Sequence, residues 1–221
     1  MTAKDRKLNT LSDLNRLTAV TGPAPKIFEY DVLGNLTYKS DVGTYTYGEA
    51  GTKPHAVTAT SGPLTSAYAY DENGSMTSST GRSLTYTAFN KPSAITQGGI
   101  ATSLAYDAHF NRIKKVTPSS TTIYVGKLYE KVTQGGVTEH KHYVGGIAVH
   151  TTRSSGTNDT RYLHTDHVGS IDTLTDENGA VVQRLAYDAH MMPPAYVVTM
   201  GSMVDEMRLS MQVTPTPRRG Y

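Results

Sequence analysis

The histidines are the residues of this sequence whose chemistry stands out first. His164 and His167 flank Asp166 in one short segment, and His140 and His142 lie two residues apart in another. Because alternate residues of a β-strand point to the same face, His140 and His142 could together contact one metal ion. A stable metal site needs three or four convergent donors, and no third donor lies at a matching spacing. We therefore expect no metal site.

Several aspartates follow tyrosines and could be interpreted as an acidic array. Asp71, Asp107 and Asp188 each come directly after a tyrosine. Oxygen-rich sites of this kind can bind calcium, but one carboxylate per repeat brings too little charge for a calcium ion. Aspartate also commonly accepts hydrogen bonds from backbone N–H groups and so closes a turn. We interpret these three residues as turn acceptors.

Other catalytic patterns are missing from the sequence. The chain has no cysteine, which excludes disulfides, thiolate metal sites and cysteine nucleophiles. It contains no Gly-x-Ser-x-Gly motif of a serine hydrolase, and no Gly-x-Gly-x-x-Gly that precedes a helix. We therefore expect no enzymatic activity, no catalytic residue and no cofactor.

Charge and hydropathy argue against a nucleic-acid surface, a membrane-spanning helix and a signal peptide. A net charge of +2 is too small to indicate a nucleic-acid surface. No apolar run approaches the roughly 20 residues of a membrane helix. The first ten residues also lack the apolar centre of a signal peptide, so no export signal is expected in this chain.

The aromatic residues indicate the fold class. The 221 residues include 15 Tyr but only 3 Phe and no Trp, and threonine is abundant. Tyrosine and threonine favour strands, and segments 44–47 and 84–87 alternate with a period of two. Leucines recur at helical spacing only between residues 7 and 17. Glycine and asparagine interrupt the chain at short intervals, as hairpins require, so the prediction is an all-β protein.

A Tyr-Asp repeat organises the chain. Its residues are Tyr30, Asp31 and Gly34; Tyr70, Asp71 and Gly74; Tyr106, Asp107 and Asn111; and Tyr187 and Asp188. We expect each tyrosine ring to be buried, each aspartate to close a turn, and an Asn-Gly or Gly-Asn pair to form a two-residue hairpin. Stacked repeats would bury the tyrosine side and leave the threonine side in water.

This repeat resembles that of the RHS/YD-repeat proteins. Residues 162–171 and their continuation to Ala189 strongly resemble the signature that leads into the RHS-repeat-associated core. The matching residues are Tyr162, His164, Asp166, His167, Gly169, Ser170, Asn178 and Gly179. The resemblance covers residues 7 to 190, and a signature of this length and order is specific.

The resemblance implies a fold and a function. The fold is an all-β, YD-repeat antiparallel β-hairpin ribbon over residues 1–190 that forms part of a curved β-shell. In bacterial polymorphic toxins such a shell encapsulates or displays a C-terminal toxin polypeptide. The implied partners are the remaining RHS shell segments and the toxin cargo. The implied location is secreted or at the cell surface as part of a parent protein, with the cytoplasm as the alternative for this chain by itself.

A second function class stays open at this stage. Wall-associated and teneurin-like relatives use YD repeats for surface adhesion, and exposed tyrosine rings could stack on carbohydrate. Tyrosines arranged in an exposed groove would favour that alternative, whereas tyrosines packed inward would favour the shell.

The chain departs from the family pattern after His190. Residues 191–221 are a divergent tail rich in methionine and proline, and no Asp-Pro dipeptide of the self-cleavage motif occurs. A fragment, a frameshifted product and a genuine short variant are all compatible with this sequence. We expect the tail to be poorly ordered. We also expect about a dozen short strands, too few for closure, and hence self-association of the isolated chain.

Overall fold

The computed structural model describes residues 9–22, 24–48, 54–185 and 187. Asp188 and the whole of the 191–221 tail lie outside the described residues. The expectations for them therefore stay predictions.

The described residues form nineteen strands and no helix, divided between two compact units. Unit 1 holds β1 (Asn9–Leu11), β2 (Leu17–Val20), β3 (Lys26–Tyr30), β4 (Leu36–Lys39), β5 (Gly43–Tyr47), β6 (Val57–Ser61), β7 (Ser66–Tyr70), β8 (Met76–Ser79), β9 (Arg82–Tyr86) and most of β10 (Pro92–Gln97). Unit 2 holds nearly all of β11 (Ile100–Tyr106), and β12 (Arg112–Val116), β13 (Ser120–Val125), β14 (Tyr129–Gln134), β15 (Val137–Val144), β16 (Ala148–Arg153), β17 (Asn158–Thr165), β18 (Ile171–Thr175) and β19 (Val181–Arg184).

Within each unit the strands follow one another as antiparallel hairpins. Each strand from β1 to β8 pairs with the next one in unit 1, and each strand from β11 to β18 does so in unit 2. The predicted all-β antiparallel hairpin ribbon is confirmed. Nineteen strands exceed the expected dozen because many strands have only three to five residues. No helix long and apolar enough to cross a membrane occurs in the described part of the chain.

The strand register gives the sheet of unit 2 two distinct faces. Face A carries a row of directly opposite residues across β13–β17: Tyr124, Glu130, Lys141, Thr151 and Asp159. Face B carries the alternating row: Val125, Tyr129, His142, His150 and Thr160. Tyr124, Lys141 and Thr151 are buried, whereas Val125 is exposed, so face A is the more enclosed side.

The threonines do not all face water, although the sequence predicted that they would. Thr60, Thr122 and Thr151 are all buried, and Thr122 is among the most buried side chains. On face A of unit 2, Thr151 lies directly opposite Lys141 and Asp159, where its short branched side chain takes little room beside long charged ones. The expectation fails because the strand register decides the face, and residue type does not.

Candidate functional site

In the described part of the chain, the aspartate of a Tyr-Asp pair closes the turn that follows it. The Asp31 N–H donates to the Asn35 carbonyl oxygen at 2.9 Å, and the Gly34 N–H donates back to the Asp31 carbonyl oxygen at 3.1 Å. The Asn35 N–H donates to Asp31 Oδ1 at 2.8 Å. Three hydrogen bonds thus hold a five-residue loop between β3 and β4.

Four more aspartates close the same loop, each with its Oδ1 accepting from the N–H four residues later. The distances are 2.8 Å at Asp71, and 2.9 Å at Asp107, Asp166 and Asp176. The fourth residue of each loop has positive φ: Gly34, Gly74, Phe110, Gly169 and Gly179. The predicted two-residue hairpin is therefore wrong, because one positive φ and a carboxylate close a longer loop.

Asparagine at the end of the loop adds side-chain contacts. Asn111 Nδ2 donates to Asp107 Oδ2 at 3.2 Å. Asn35 does the same to Asp31 Oδ2 at 2.9 Å, and it also donates to the Pro54 carbonyl oxygen at 3.1 Å. The Asn111 backbone N–H, and to a smaller extent its side-chain amide, donate hydrogen bonds to the Asp107 carboxyl. These bonds hold the pKa of that carboxyl below its usual value. The Asp107 carboxylate is thus committed to its own loop, as a structural acceptor is.

The tyrosine of each pair reaches backwards along the chain. Tyr30, at the end of β3, donates its hydroxyl to the carbonyl oxygen of Leu17, the first residue of β2, at 2.9 Å. Five further tyrosines, two of them (Tyr47 and Tyr86) outside Tyr-Asp pairs, repeat this contact at 2.7–2.8 Å: Tyr47 to Leu36, Tyr70 to Val57, Tyr86 to Met76, Tyr106 to Pro92 and Tyr187 to Ile171. Every acceptor is the first residue of its strand. We call these six contacts the tyrosine latches.

A Tyr-Asp pair therefore joins two consecutive hairpins. The aspartate closes the loop that follows the pair in the chain. The tyrosine hydroxyl donates to the first residue of an earlier strand. The latch tyrosines also lie near the loop aspartates: burial, followed by the carboxylate of Asp31, raises the pKa of Tyr47. Burial and then Asp71 act in the same way on the pKa of Tyr86. Both side chains of such a pair therefore join hairpins to one another.

Alkaline pH should loosen all six latches. Burial is the largest cause that raises the pKa of each latch tyrosine above the usual value near 10. A raised pKa in the folded state means that stability is intact below about pH 10 and falls as the pH rises through the folded pKa. We expect urea midpoints that hold up to about pH 9.5 and drop steeply above it, together with tyrosinate absorbance that appears on unfolding. Free titration of all tyrosines before unfolding would contradict this prediction.

The residues that resemble the RHS core signature form two consecutive aspartate loops. Ser170 and Gly169 belong to the loop of Asp166, and Asn178 and Gly179 belong to the loop of Asp176. Sequence reasoning missed Asp176, although its spacing of three residues before a glycine equals that of Asp31 and Asp71.

The remaining signature residues have separate surroundings. His164 Nε2 lies 3.0 Å from Thr175 Oγ1 on the neighbouring strand. His167 is exposed at its turn, and Tyr162 is exposed on face B. The contact of His164 with Thr175 thus links β17 to β18.

Face B brings together three histidines, one more than the sequence suggested. His140 and His142 share this face, and His150 lies directly opposite His142 on β16. His140 Nδ1 is 2.6 Å from the Tyr129 hydroxyl, and His150 Nδ1 is 3.0 Å from Thr160 Oγ1. Among the described residues, no three or more His, Cys, Asp or Glu side chains are grouped so that they could hold a metal ion.

Face A carries a chain of ion pairs that sequence reasoning did not find. Lys141 lies 3.5 Å from Glu139, which accepts from Arg153 Nε at 2.7 Å. Arg153 also pairs with Asp159, whose second oxygen is 2.9 Å from Arg161 Nε. The five charges alternate across β15, β16 and β17. Each charge has an opposite neighbour, so the row fixes the strand register and offers no isolated charge for catalysis.

Phe110 is the exception among the aspartate loops and should cost stability. Its φ of 63° is in the left-handed region, where the sister loops have glycine. Phe110→Gly removes about 1–2 kcal/mol of backbone strain and adds about 0.5–1 kcal/mol of chain entropy. We expect a net gain of about 0.5–1 kcal/mol in urea unfolding. The reciprocal change Gly169→Phe, at φ 85°, should destabilise the protein; a neutral result for both would contradict the strain argument.

Comparison with known proteins gives a distant likeness. No family model and no curated protein matches the chain. Among solved structures, TcdB2-TccC3 without its hypervariable C-terminal region is similar at a TM-score of 0.45 and 13% identity. TcdB2-TccC3-Cdc42 is similar at the same two values. In both cases the match covers 85% of this chain and 15% of the other, so the chain spans about one seventh of their length.

Proposed function

We propose that this chain is a structural segment of an RHS-type β-shell, whose role is to enclose or display a polypeptide. The observation that carries the proposal is a repeated set of contacts: six tyrosine latches and five aspartate loops fasten successive hairpins, and three Tyr-Asp pairs (Tyr30-Asp31, Tyr70-Asp71 and Tyr106-Asp107) supply both. Repeated residues that join successive hairpins fit a structural role in a β-shell. The proposed partners are other shell segments and a toxin cargo, in a secreted or surface-displayed parent protein.

The use of the tyrosines favours the shell over a carbohydrate-binding module. A sugar-stacking surface needs exposed rings whose polar edges are free for the ligand. The six latch hydroxyls already donate to backbone carbonyls, and their side chains are partly buried. We therefore keep adhesion as the less favoured function.

Co-sedimentation with the flanking shell sequence tests this proposal. The chain would be produced alone and together with the polypeptide encoded beside it in its genome. A shell segment should form a stable complex with the flanking repeats and should unfold at higher urea concentration in that complex. A chain that ignores the flanking polypeptide in both measurements would contradict the proposal.

We also propose that the protein has no hydrolase or transferase activity, with or without a divalent metal. The three carboxylates of β14–β17, Glu130, Glu139 and Asp159, lie on face A, opposite the face of His142 and His150. No carboxylate of these strands can therefore orient those imidazoles as a base. Assays with ester, phosphoester and glycoside substrates should give rates equal to buffer. An activity that is lost in folded His164→Ala or His167→Ala protein would overturn this prediction.

A further inference from the structure

Two loops of the chain contain the same reactive dipeptide. Asparagine is followed directly by glycine at Asn73 and at Asn178, and nowhere else in the 221 residues. Both pairs belong to the same tetrapeptide, Asp-Glu-Asn-Gly, which forms residues 71–74 and 176–179. Both asparagines are exposed, each at the third position of an aspartate loop. The chain thus carries two copies of one local sequence in one kind of loop.

An Asn-Gly pair can rearrange without an enzyme. The backbone nitrogen of the glycine loses its proton to the solvent and bonds to the asparagine Cγ, while the side-chain nitrogen takes up a proton and leaves as ammonia. Water then opens the resulting succinimide ring at either of its carbonyl carbons, which gives aspartate or isoaspartate. Glycine favours the first step because it has no Cβ beside the attacking nitrogen. The reaction consumes water, releases ammonia and involves no oxidant.

Each aspartate loop restrains the nitrogen that would attack. The Gly74 N–H donates to the Asp71 carbonyl oxygen at 3.0 Å, and the Gly179 N–H donates to the Asp176 carbonyl oxygen at 3.1 Å. This hydrogen bond has to break before the nitrogen can lose its proton and turn towards the side chain. The closed loop therefore protects the asparagine, and rearrangement requires local opening of the loop.

The strand after the loop of Asn73 is fastened at its first residue. Met76 begins β8 directly after this loop, and its carbonyl oxygen accepts the latch of Tyr86 at 2.7 Å. Asn73 Nδ2 also donates to Asn90 Oδ1 at 3.4 Å, a long contact with the turn between β9 and β10. Opening of this loop therefore disturbs contacts outside the loop as well as inside it.

The strand after the loop of Asn178 is held by none of the six latches found in the described part of the chain. Their acceptors all lie on other strands than β19, which begins with the exposed Val181. One additional bond, from the Asn178 N–H to Asp176 Oδ1 at 2.9 Å, lies inside the loop and does not fasten β19. The loop of Asn178 should therefore open more often than the loop of Asn73.

We propose that Asn178 is a site of spontaneous deamidation and isomerisation, and that it reacts before Asn73. The inference is independent of the proposed shell function. Either product places a third acid beside Asp176 and Glu177. Isoaspartate also adds one carbon to the backbone of a loop that the Ala180 N–H closes onto Asp176 Oδ1 at 2.9 Å. Conversion should therefore open this loop and loosen the pairing of β19 with β18.

Mass spectrometry of the ageing protein tests the proposal. The folded chain and two synthetic peptides, residues 69–77 and 174–182, would be incubated at physiological pH and temperature. Deamidation is followed by the change of mass when the amide nitrogen is replaced by oxygen, and isoaspartate by isoaspartyl methyltransferase labelling. The two peptides should react at nearly equal rates, because they share Asp-Glu-Asn-Gly. In the folded protein we expect both sites to react at least about tenfold more slowly, and Asn178 to react about fivefold faster than Asn73, the ratio that one net hydrogen bond gives.

Variants of the loop carboxylates add a second test. Asp176→Ala removes the carboxylate that closes the loop, so it should accelerate the reaction of Asn178 towards its peptide rate and leave Asn73 unchanged. Asp71→Ala is the matched control and should have the reverse effect. Circular dichroism and the urea midpoint verify that both variants are folded. Unchanged rates in both folded variants would contradict protection by the loops.

Three results with the wild-type chain would overturn the proposal, even if a variant fails to fold. Equal rates at the two sites, or a faster Asn73, would contradict the order of reaction. Rates at both sites equal to those of the peptides would show that the loops give no protection. An Asn178 that stays intact in the folded protein after its peptide has reacted completely, over an equally long further incubation scaled to the expected slowing, would mean that it is not a modification site.

Discussion

Gly43→Ala should destabilise the protein by about 2–5 kcal/mol, the largest effect that we expect from a single methyl group. Gly43 is buried at the start of β5 and has a φ of +107°. A Cβ there would overlap the Ser61 carbonyl oxygen and approach Gly62 Cα to 2.9 Å. Both obstacles are backbone atoms and cannot rotate away. Backbone strain of about 1–2 kcal/mol adds to an overpacking cost of about 1–3 kcal/mol.

Gly34→Ala is the matched control for this prediction. Gly34 also has positive φ, at +87°, but nothing lies within 4 Å of its Cβ position. Only the backbone strain applies, so we expect a cost of about 1–2 kcal/mol. Urea unfolding of the two variants separates the steric contribution from the conformational one. Equal destabilisation would show that β5 and the end of β6 are not as close as the structure has them.

The triple variant Tyr70→Phe, Tyr86→Phe and Tyr106→Phe should lose about 3 kcal/mol of stability. Each change keeps the aromatic ring and removes one latch hydroxyl, so a partly buried carbonyl at the start of a strand loses its donor. The loss of one such hydrogen bond costs about 1 kcal/mol, and latches on separate strands should add. The loss of stability at alkaline pH should become smaller as more latches are removed.

Tyr162→Phe is the control for the latches, because Tyr162 is exposed on face B and takes no part in them. It should change the free energy of unfolding by less than about 0.5 kcal/mol. Hydrogen exchange adds a local test: amides of β6, β8 and β10, which hold the three latch acceptors, should exchange faster in the triple variant than in the wild type. Uniform acceleration over all strands would mean that the latches are not local fasteners.

The sequence was sufficient for the fold class and insufficient for the cross-strand contacts. Tyrosine, threonine and glycine at short intervals predict an all-β chain because their preferences are local. The acceptor of a latch, such as Leu17 for Tyr30, depends on the strand register. The same holds for His150 opposite His142. The strand register is determined by pairing along the whole ribbon, so no single motif predicts it.

Local spacing was misleading at the start of the chain. Leu8, Leu11 and Leu14 recur at helical intervals, yet Leu11 ends β1 and Leu14 lies exposed in the turn before β2. The Ser12 N–H donates to the Arg16 carbonyl oxygen at 2.8 Å and closes that turn. Asn15, with φ 55°, occupies the position that glycine has in the aspartate loops. The loop pattern, once known, explains this segment better than its leucines do.

Protease protection of an enclosed polypeptide would show whether the chain forms part of a shell. The chain and its flanking repeats would be co-expressed with a reporter polypeptide fused where a toxin cargo would lie, and the purified complex would be digested with proteinase. We expect the reporter to survive in the complex and to be digested once alkaline pH opens the latches. A reporter that is digested equally fast with and without the shell segments would contradict a shell function.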